Sequence, residues 1–302
     1  MKFLIIIPAH NEEENILSCL ESLKNQTFQD FKCVIVNDGS TDKTQEIAEK
    51  YEVQSTKYKV LNLEKSLHQP GAKVVRTFNK GLETENIEEF DVVCKFDADI
   101  IFPKNYLEKI NEVYKKNPKA GMVSGLVYIK KGFDSAQPDK KDFTTSQLHD
   151  FTNQNDWTFE NLSSKNHVRG PIKSYRKELF LKMNGLRAVL GWDNIDVMLC
   201  KMHGYETLTI KELWVKHLRP TAYKYKSQKA EKLGEYFYNI GLNFPLAAIS
   251  SAKSSLKNKS ISEFFITMKS FLKQKNERIL TNEEIAFIRN LRWNEMFKKI
   301  KN

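Results

Sequence analysis

Asp91-Val92-Val93-Cys94-Lys95-Phe96-Asp97-Ala98-Asp99-Ile100 is the stretch around which the rest of the sequence arranges itself. Val92, Val93, Cys94 and Phe96 are apolar and favour strands, so the run reads as a buried strand ending in two carboxylates. In extended chain Asp97 and Asp99 point to one side. Two like charges that close repel, and one pKa rises unless a cation lies between them. Oxygen ligands of this kind suit a hard divalent ion, Mg²⁺ or Mn²⁺. The competing role is capping of the next helix. Pro103 opposes it: proline favours the first helical position, which starts that helix near Lys104, past the reach of either carboxylate. An isolated Asp-x-Asp is a weak signal, and the flanking turns decide.

Working outward, Phe3 to Ile7 is a continuous apolar run, as expected of a central parallel strand. Pro8-Ala9-His10-Asn11 follows, then Glu12-Glu13-Glu14 opens a helix with Ile16, Leu20 and Leu23 at helical spacing. Asn11 reads as its N-cap. The turn has no Gly-x-Gly-x-x-Gly, and the chain has no Gly-x-x-x-x-Gly-Lys-Ser/Thr, so neither dinucleotide nor P-loop chemistry is indicated. A second strand, Phe31 to Val36, runs into Asn37-Asp38-Gly39-Ser40-Thr41-Asp42. Ser40 or Thr41 caps the next helix and Asp42 suits its first turn, which leaves Asp38 free at the strand's carboxyl end, where open α/β sheets bind ligands. A third strand over 59–63, a helix over 72–81 with Lys73 and Arg76, the strand at 91–96 and a helix over 104–116 complete a doubly wound α/β unit.

The chain has 302 residues, 40% of them hydrophobic, enough for one large domain or two small ones. The net charge of +10 is uneven: residues 221–302 hold 16 Lys+Arg against 7 Asp+Glu, so the first 220 are nearly neutral. A basic tail meets nucleic acid, an anionic membrane, or only solvent. No groove-binding motif supports nucleic acid. Cys19, Cys33, Cys94 and Cys200 have apolar neighbours and no Cys-x-x-Cys spacing, as expected of reduced core residues in a cytoplasmic protein. Pro8 ends the first apolar run too early for a secretory signal, and no window reaches eighteen apolar residues.

Pro8-Ala9-His10-Asn11-Glu12, Val36-Asn37-Asp38-Gly39-Ser40-Thr41-Asp42 and Phe96-Asp97-Ala98-Asp99, in that order, resemble the signature of GT-A glycosyltransferases of family 2. The likeness covers residues 1–125 most clearly and extends to about 220. It implies a GT-A doubly wound nucleotide-diphospho-sugar transferase fold over 1–220, with a donor-binding half (1–125), an acceptor-binding half (126–220) and a basic helical extension (221–302). It further implies that Pro8, Ala9 and Glu12 line a nucleoside pocket and that Asp38 meets the base or ribose. Asp97 would face the ribose or the metal shell, and Asp99 would bind the metal directly. Lys73 and Arg76 both qualify as the basic residue that supports the donor.

Farther on, 121–129 reads as a strand and 130–157 as a long loop or flap. His167 to Arg176 resembles the family's acceptor-side segment, and Arg169 and Lys173 are candidates for the donor phosphates. Gly191-Trp192-Asp193-Asn194-Ile195-Asp196 resembles the acidic pair that opens the helix holding the catalytic base. Asn194 cannot take up a proton near neutral pH, which leaves Asp193 first and Asp196 second. Trp192 is either a stacking platform for an acceptor sugar or a core residue. Glu212 to Pro220 reads as a last strand, with His217 as a further metal ligand and Arg219 beside it. Basic amphipathic helices over 229–238, 262–273 and 282–301 either lie on anionic lipid or cap the catalytic domain. Together these imply an inverting, metal-dependent transfer from a nucleoside-diphosphate sugar to a hydroxyl of a saccharide or lipid-linked saccharide. A nucleotidyltransferase and a non-catalytic sugar-nucleotide-binding or membrane-docking module are the alternatives.

Overall fold

The computed structural model of the chain describes residues 1–64, 69, 71–131, 148–152, 154–219 and 229–301. In its first half strands and helices alternate: β1 (Phe3–Ala9), α1 (Ile16–Lys24), β2 (Phe31–Asp38), α2 (Thr44–Gln54), β3 (Tyr58–Leu63), α3 (Ala72–Leu82), β4 (Val92–Phe96), β5 (Ile100–Ile101) and α4 (Tyr106–Lys116). Then come β6 (Ala120–Lys130), β7 (Trp157–Phe159), β8 (Ile172–Arg176), α5 (Lys177–Lys182), α6 (Trp192–Met202) and β9 (Glu206–His217). Four helices close the chain: α7 (Lys229–Asn239), α8 (Phe244–Lys257), α9 (Ile261–Lys273) and α10 (Asn282–Lys301).

Among the described residues the strands form one sheet in the order β3-β2-β1-β4-β8-β6-β9-β5, with β7 on β6. β3, β2, β1 and β4 are parallel, whereas β8 is antiparallel to both β4 and β6. Both faces are covered, which is why β1 is apolar at every position rather than alternating. Phe3, Ile5 and Ile7 enter the core beneath α1, α2 and α4. Leu4 and Ile6 enter the opposite core, shared with α3, α5, α6 and the four closing helices. The four cysteines are buried and free.

Several local expectations change. Asn11 is not an N-cap: it has φ +54°, and the helix begins five residues later at Ile16. Its side chain instead accepts from the Thr41 amide at 2.8 Å. Ser40 and Thr41 do not cap α2, which starts at Thr44 after Lys43. The last strand starts at Glu206, six residues before the expected Glu212, and runs parallel to β6. α8 was not expected. Most of the loop expected over 130–157 lies outside the described residues, but its base is closed by β7 pairing with β6, Lys130 opposite Trp157.

Candidate active site

The carboxyl ends of β1 and β2 are stitched together by their turns. The Asn11 amide donates to Ser40 Oγ at 3.0 Å, the Glu12 amide to Thr44 Oγ1 at 2.7 Å and the Glu13 amide to Asp42 Oδ2 at 3.1 Å. The first two sequence motifs are therefore one rigid edge, with Pro8 and Ala9 opposite Val36 and Asn37. Asp38, expected to be free, is buried and held: Lys73 Nζ lies 3.2 Å from Oδ2 and Thr77 Oγ1 donates to the same oxygen at 3.0 Å. Of the two basic candidates on α3, Lys73 thus faces this edge. Arg76 is exposed and donates to Gln69 Oε1 at 2.7 Å.

Asp97-Ala98-Asp99 is a turn between β4 and β5, not extended chain, so the two carboxylates part company. Asp97 pairs with Lys95, while its amide donates to the Pro171 carbonyl at 2.9 Å. Asp99 is brought beside His217 by the β5–β9 pairing, Ile100 opposite His217. Asp99 Oδ2 lies 3.6 Å from His217 Nε2 and 3.3 Å from Arg219 Nη2. Burial pushes the Asp99 carboxyl up, but His217 and then Arg219 outweigh it and hold it below the usual range. The expected repulsion between Asp97 and Asp99 is thus relieved by the protein's own cations. Arg219 also reaches Glu12, joining the first motif to the third. Burial and Asp99 raise the Glu12 pKa against that pairing.

Glu160, which sequence reasoning missed, lies behind His217. Its Oε2 is 3.2 Å from His217 Nδ1 and 2.6 Å from Arg169 Nη1. Burial lowers the His217 pKa, but Asp99 and Glu160 overcome it and push the imidazole up to about 9. Nothing in the local sequence marks Glu160 as a partner of His217, which lies 57 residues away. Arg169 is buried against Glu160. Among the described residues no three His, Cys, Asp or Glu side chains converge as a metal cage. Asp99 and His217 nevertheless stand side by side, and a metal that displaced the Nε2 proton would meet one oxygen and one nitrogen donor there. His217 Nδ1 is held by a carboxylate, the usual outer support of a metal-binding histidine.

The second pole is the start of α6. Gly191 takes φ +97°, and the following residue, Trp192, begins the helix. Asp193 in the first turn is partly exposed, and among the described residues its carboxylate has no hydrogen-bond or ion-pair partner. Asp196 is set differently. It is buried, with both oxygens on Lys173 Nζ (2.6 and 2.7 Å) and Oδ2 accepting from Tyr175 Oη at 2.6 Å. Lys173, a candidate for donor phosphate, is fully buried and also donates to the Asp193 carbonyl at 2.5 Å. The two poles meet at Gly170-Pro171. Lys95 Nζ donates to the Gly170 carbonyl at 3.4 Å, and a β-carbon at Gly170 would sit 3.5 Å from the Trp192 ring and 3.7 Å from Asp193 Cβ. Trp192 is itself buried, as a core residue rather than an open platform.

The sequence profile described as Glycosyl transferase family 2 matches residues 4–180. Glycosyltransferase GlyG of Streptococcus pneumoniae is 26% identical over 187 residues, 58% of this chain and 57% of that protein. Across three curated relatives the matched stretch covers from 24% to 57% of their own length. Among solved structures, the mannosyltransferase PcManGT from Pyrobaculum calidifontis, in complex with GDP-Man and Mn²⁺, superposes with a TM-score of 0.53. It is 16% identical and covers 97% of this chain and 74% of that one. S. aureus TarS in complex with UDP gives 0.54 at 17% identity, covering 93% and 95%. At these identities the likeness is one of fold.

Proposed function

The chain belongs to glycosyl transferase family 2 and has the GT-A fold, and from that premise we propose that it is an inverting, metal-dependent enzyme. Its donor is a nucleoside-diphosphate sugar seated on the carboxyl edge of β1, β2 and β4. Pro8, Ala9 and Glu12 line the nucleoside side, Asp38 meets base or ribose with Lys73 behind it, and Asp97 faces the ribose. Arg76, exposed beside Gln69, and Arg169, buried against Glu160, are the further basic groups of the donor side. The division into a donor half (1–125), an acceptor half (126–220) and a helical extension (221–302) is part of the same proposal.

The donor set fits a divalent ion. Asp99 and His217 would hold it, with phosphate oxygens and water completing the shell, as Mg²⁺ and Mn²⁺ prefer over an all-protein cage. When bound, the ion supplies charge stabilisation to the departing diphosphate. Asp193 takes the proton from the acceptor hydroxyl as that oxygen attacks the anomeric carbon. A single displacement inverts that carbon. A double one needs a second carboxylate as nucleophile, and Asp196 is occupied by Lys173 and Tyr175. The acceptor is a hydroxyl of a saccharide or lipid-linked saccharide, with residues 221–302 in peripheral contact with the cytoplasmic membrane face.

The observation that carries this reading is the Asp193 carboxylate, without a hydrogen-bond or ion-pair partner among the described residues, lying beside the Gly170-Pro171 segment whose Pro171 carbonyl accepts from the Asp97 amide. The test is incubation with a panel of sugar nucleotides, with Mn²⁺ and with chelator. Metal-dependent release of a nucleoside diphosphate is expected, with product of inverted anomeric configuration by NMR. Product of retained configuration would rule out this role for Asp193.

A further inference from the structure

α8 and α9 each have two apolar faces, and only one of each is used. Inward, α8 buries Leu246, Ala247, Ser251 and Ser255, and α9 buries Thr267, Met268 and Phe271. Ser251 Oγ donates to the Phe264 carbonyl at 3.4 Å, so the two helices are neighbours. Outward, Ile249, Leu256, Ile261, Phe265, Ile266 and Leu272 remain 42% to 79% exposed. Ile249, Lys253 and Leu256 follow at i, i+4 and i+7, and Ile261, Phe265, Lys269 and Leu272 at i, i+4, i+8 and i+11, so each set is one stripe. A helix whose inner face is already packed gains nothing in folding from a second apolar stripe. Solitary surface apolar residues need no explanation, but matched stripes on adjacent helices mark an interaction surface.

The charge around these stripes selects the occupant. Residues 244–273 carry Lys253, Lys257, Lys259, Lys269 and Lys273 against one acid, Glu263. Lysine ammoniums among outward phenylalanine, leucine and isoleucine side chains are the chemistry of a segment lying in the headgroup region of an anionic bilayer. We propose, resting on the reading of 221–302 as a membrane-contacting extension, that the outer faces of α8 and α9 are the surface by which this protein docks on anionic lipid. The surface is joined to the candidate base by one intervening helix. On one side of α7, Gly234 lies so close to α9 that a β-carbon there would meet the Thr267 carbonyl at 2.3 Å. On the other, Tyr236 covers Gly191, two residues before Asp193. Docking therefore fixes the lipid surface relative to the helix that would receive a lipid-linked acceptor.

The test is co-sedimentation of the full chain with vesicles of equal parts phosphatidylcholine and phosphatidylglycerol, and with phosphatidylcholine alone. Binding is expected to the first only, weakening with salt. F265E/L272E should lower partitioning about tenfold or more. K269Q/K273Q should lower it by about 30-fold, the work of two lysines near an anionic surface. Unchanged urea midpoints would show that both variants are folded. The surface is refuted if the wild-type chain stays in the supernatant, or if F265E/L272E partitions like wild type. It is equally refuted if light scattering shows a dimer that F265E/L272E dissociates, since the occupant is then a second copy. Release of nucleoside diphosphate in vesicle-free solution should survive F265E/L272E. Vesicle binding without any such release would overturn the transferase reading and leave the surface standing.

Discussion

Lys95 and Lys173 are direct register partners across β4 and β8, two buried ammonium groups on neighbouring strands. Like charges so placed repel. The Trp192 ring lies 5.3 Å from one ammonium and 5.2 Å from the other, and each has its own carboxylate, Asp97 for Lys95 and Asp196 for Lys173. The pairs differ in exposure. The Asp97 side chain is 30% exposed and that of Asp196 only 3%. Asp97 is therefore open to exchange its partner for a ligand, whereas Asp196 is locked into the core.

Replacing Lys173 with methionine should leave Asp196 buried and uncompensated. Breaking such a pair costs about 3–5 kcal/mol, while exchanging both partners for apolar residues costs little. K173M should thus lower the urea midpoint strongly, and K173M/D196L should recover most of it. Lys95→Met should cost less than K173M, because water reaches Asp97. Equal midpoints for K173M and wild type would mean that the pair contributes nothing.

Glu160 is expected to act on metal affinity. Outer-shell carboxylates behind a metal-binding histidine typically contribute about 10- to 100-fold in affinity. Glu160→Gln keeps a hydrogen-bonding group of similar shape beside His217 and Arg169. Titration of Mn²⁺ by electron paramagnetic resonance, with a nucleoside diphosphate from the sugar-nucleotide panel present, should show weaker binding by at least about tenfold. An unchanged Mn²⁺ affinity would reduce Glu160 to a partner of Arg169 alone.

The parallel half of the sheet was legible because its strands are buried on both faces and therefore continuous in apolar residues, as in Phe3 to Ile7 and Phe31 to Val36. The strand at 206–211 was missed because its residues are partly exposed and mix threonine with charge. α8 was missed because its Ala- and Ser-rich sequence carries apolar residues on both sides, Leu246 and Ala247 inward and Ile249 and Leu256 outward, so no single face contrasts with the rest. Its start was nonetheless signalled: Asn243 caps it, accepting from the Leu246 amide, and Pro245 stands in the first turn. Asn11 misled because an asparagine before three glutamates looks like a cap, whereas the native chain places it in the left-handed region to bind Thr41. The candidate site was legible in its motif residues and not in Lys95 or Glu160, whose partners are fixed by strand register and by the return of β9.

Gly191 should tolerate no side chain. Its φ is +97°, and a β-carbon there would lie 2.4 Å from the Tyr236 ring. Gly191→Ala is expected to cost about 1–3 kcal/mol through backbone strain, with the clash added. Combining it with Tyr236→Ala should relieve the clash and leave the strain, so the double variant should be less unstable than the sum of the two singles. Strict additivity in urea unfolding would mean that α7 does not seat on this glycine.

Asp193 and Asp196 lie three residues apart on one helix, and asparagine at each should separate chemistry from structure. Among the described residues the Asp193 carboxylate has no partner to lose, so Asp193→Asn should leave the urea midpoint and the affinity for the nucleoside diphosphate that binds with Mn²⁺ unchanged. Removing a general base lowers turnover by about 10²- to 10⁴-fold, and that loss should appear in kcat, since donor binding does not use the base. Asp196→Asn should do the reverse at first order. It leaves the buried Lys173 ammonium facing an amide, so the midpoint should fall, and turnover should fall only as far as the helix start is displaced. If Asp193→Asn retains wild-type kcat while Asp196→Asn folds normally and loses it, the roles are exchanged and proton transfer runs through the Lys173–Asp196–Tyr175 cluster.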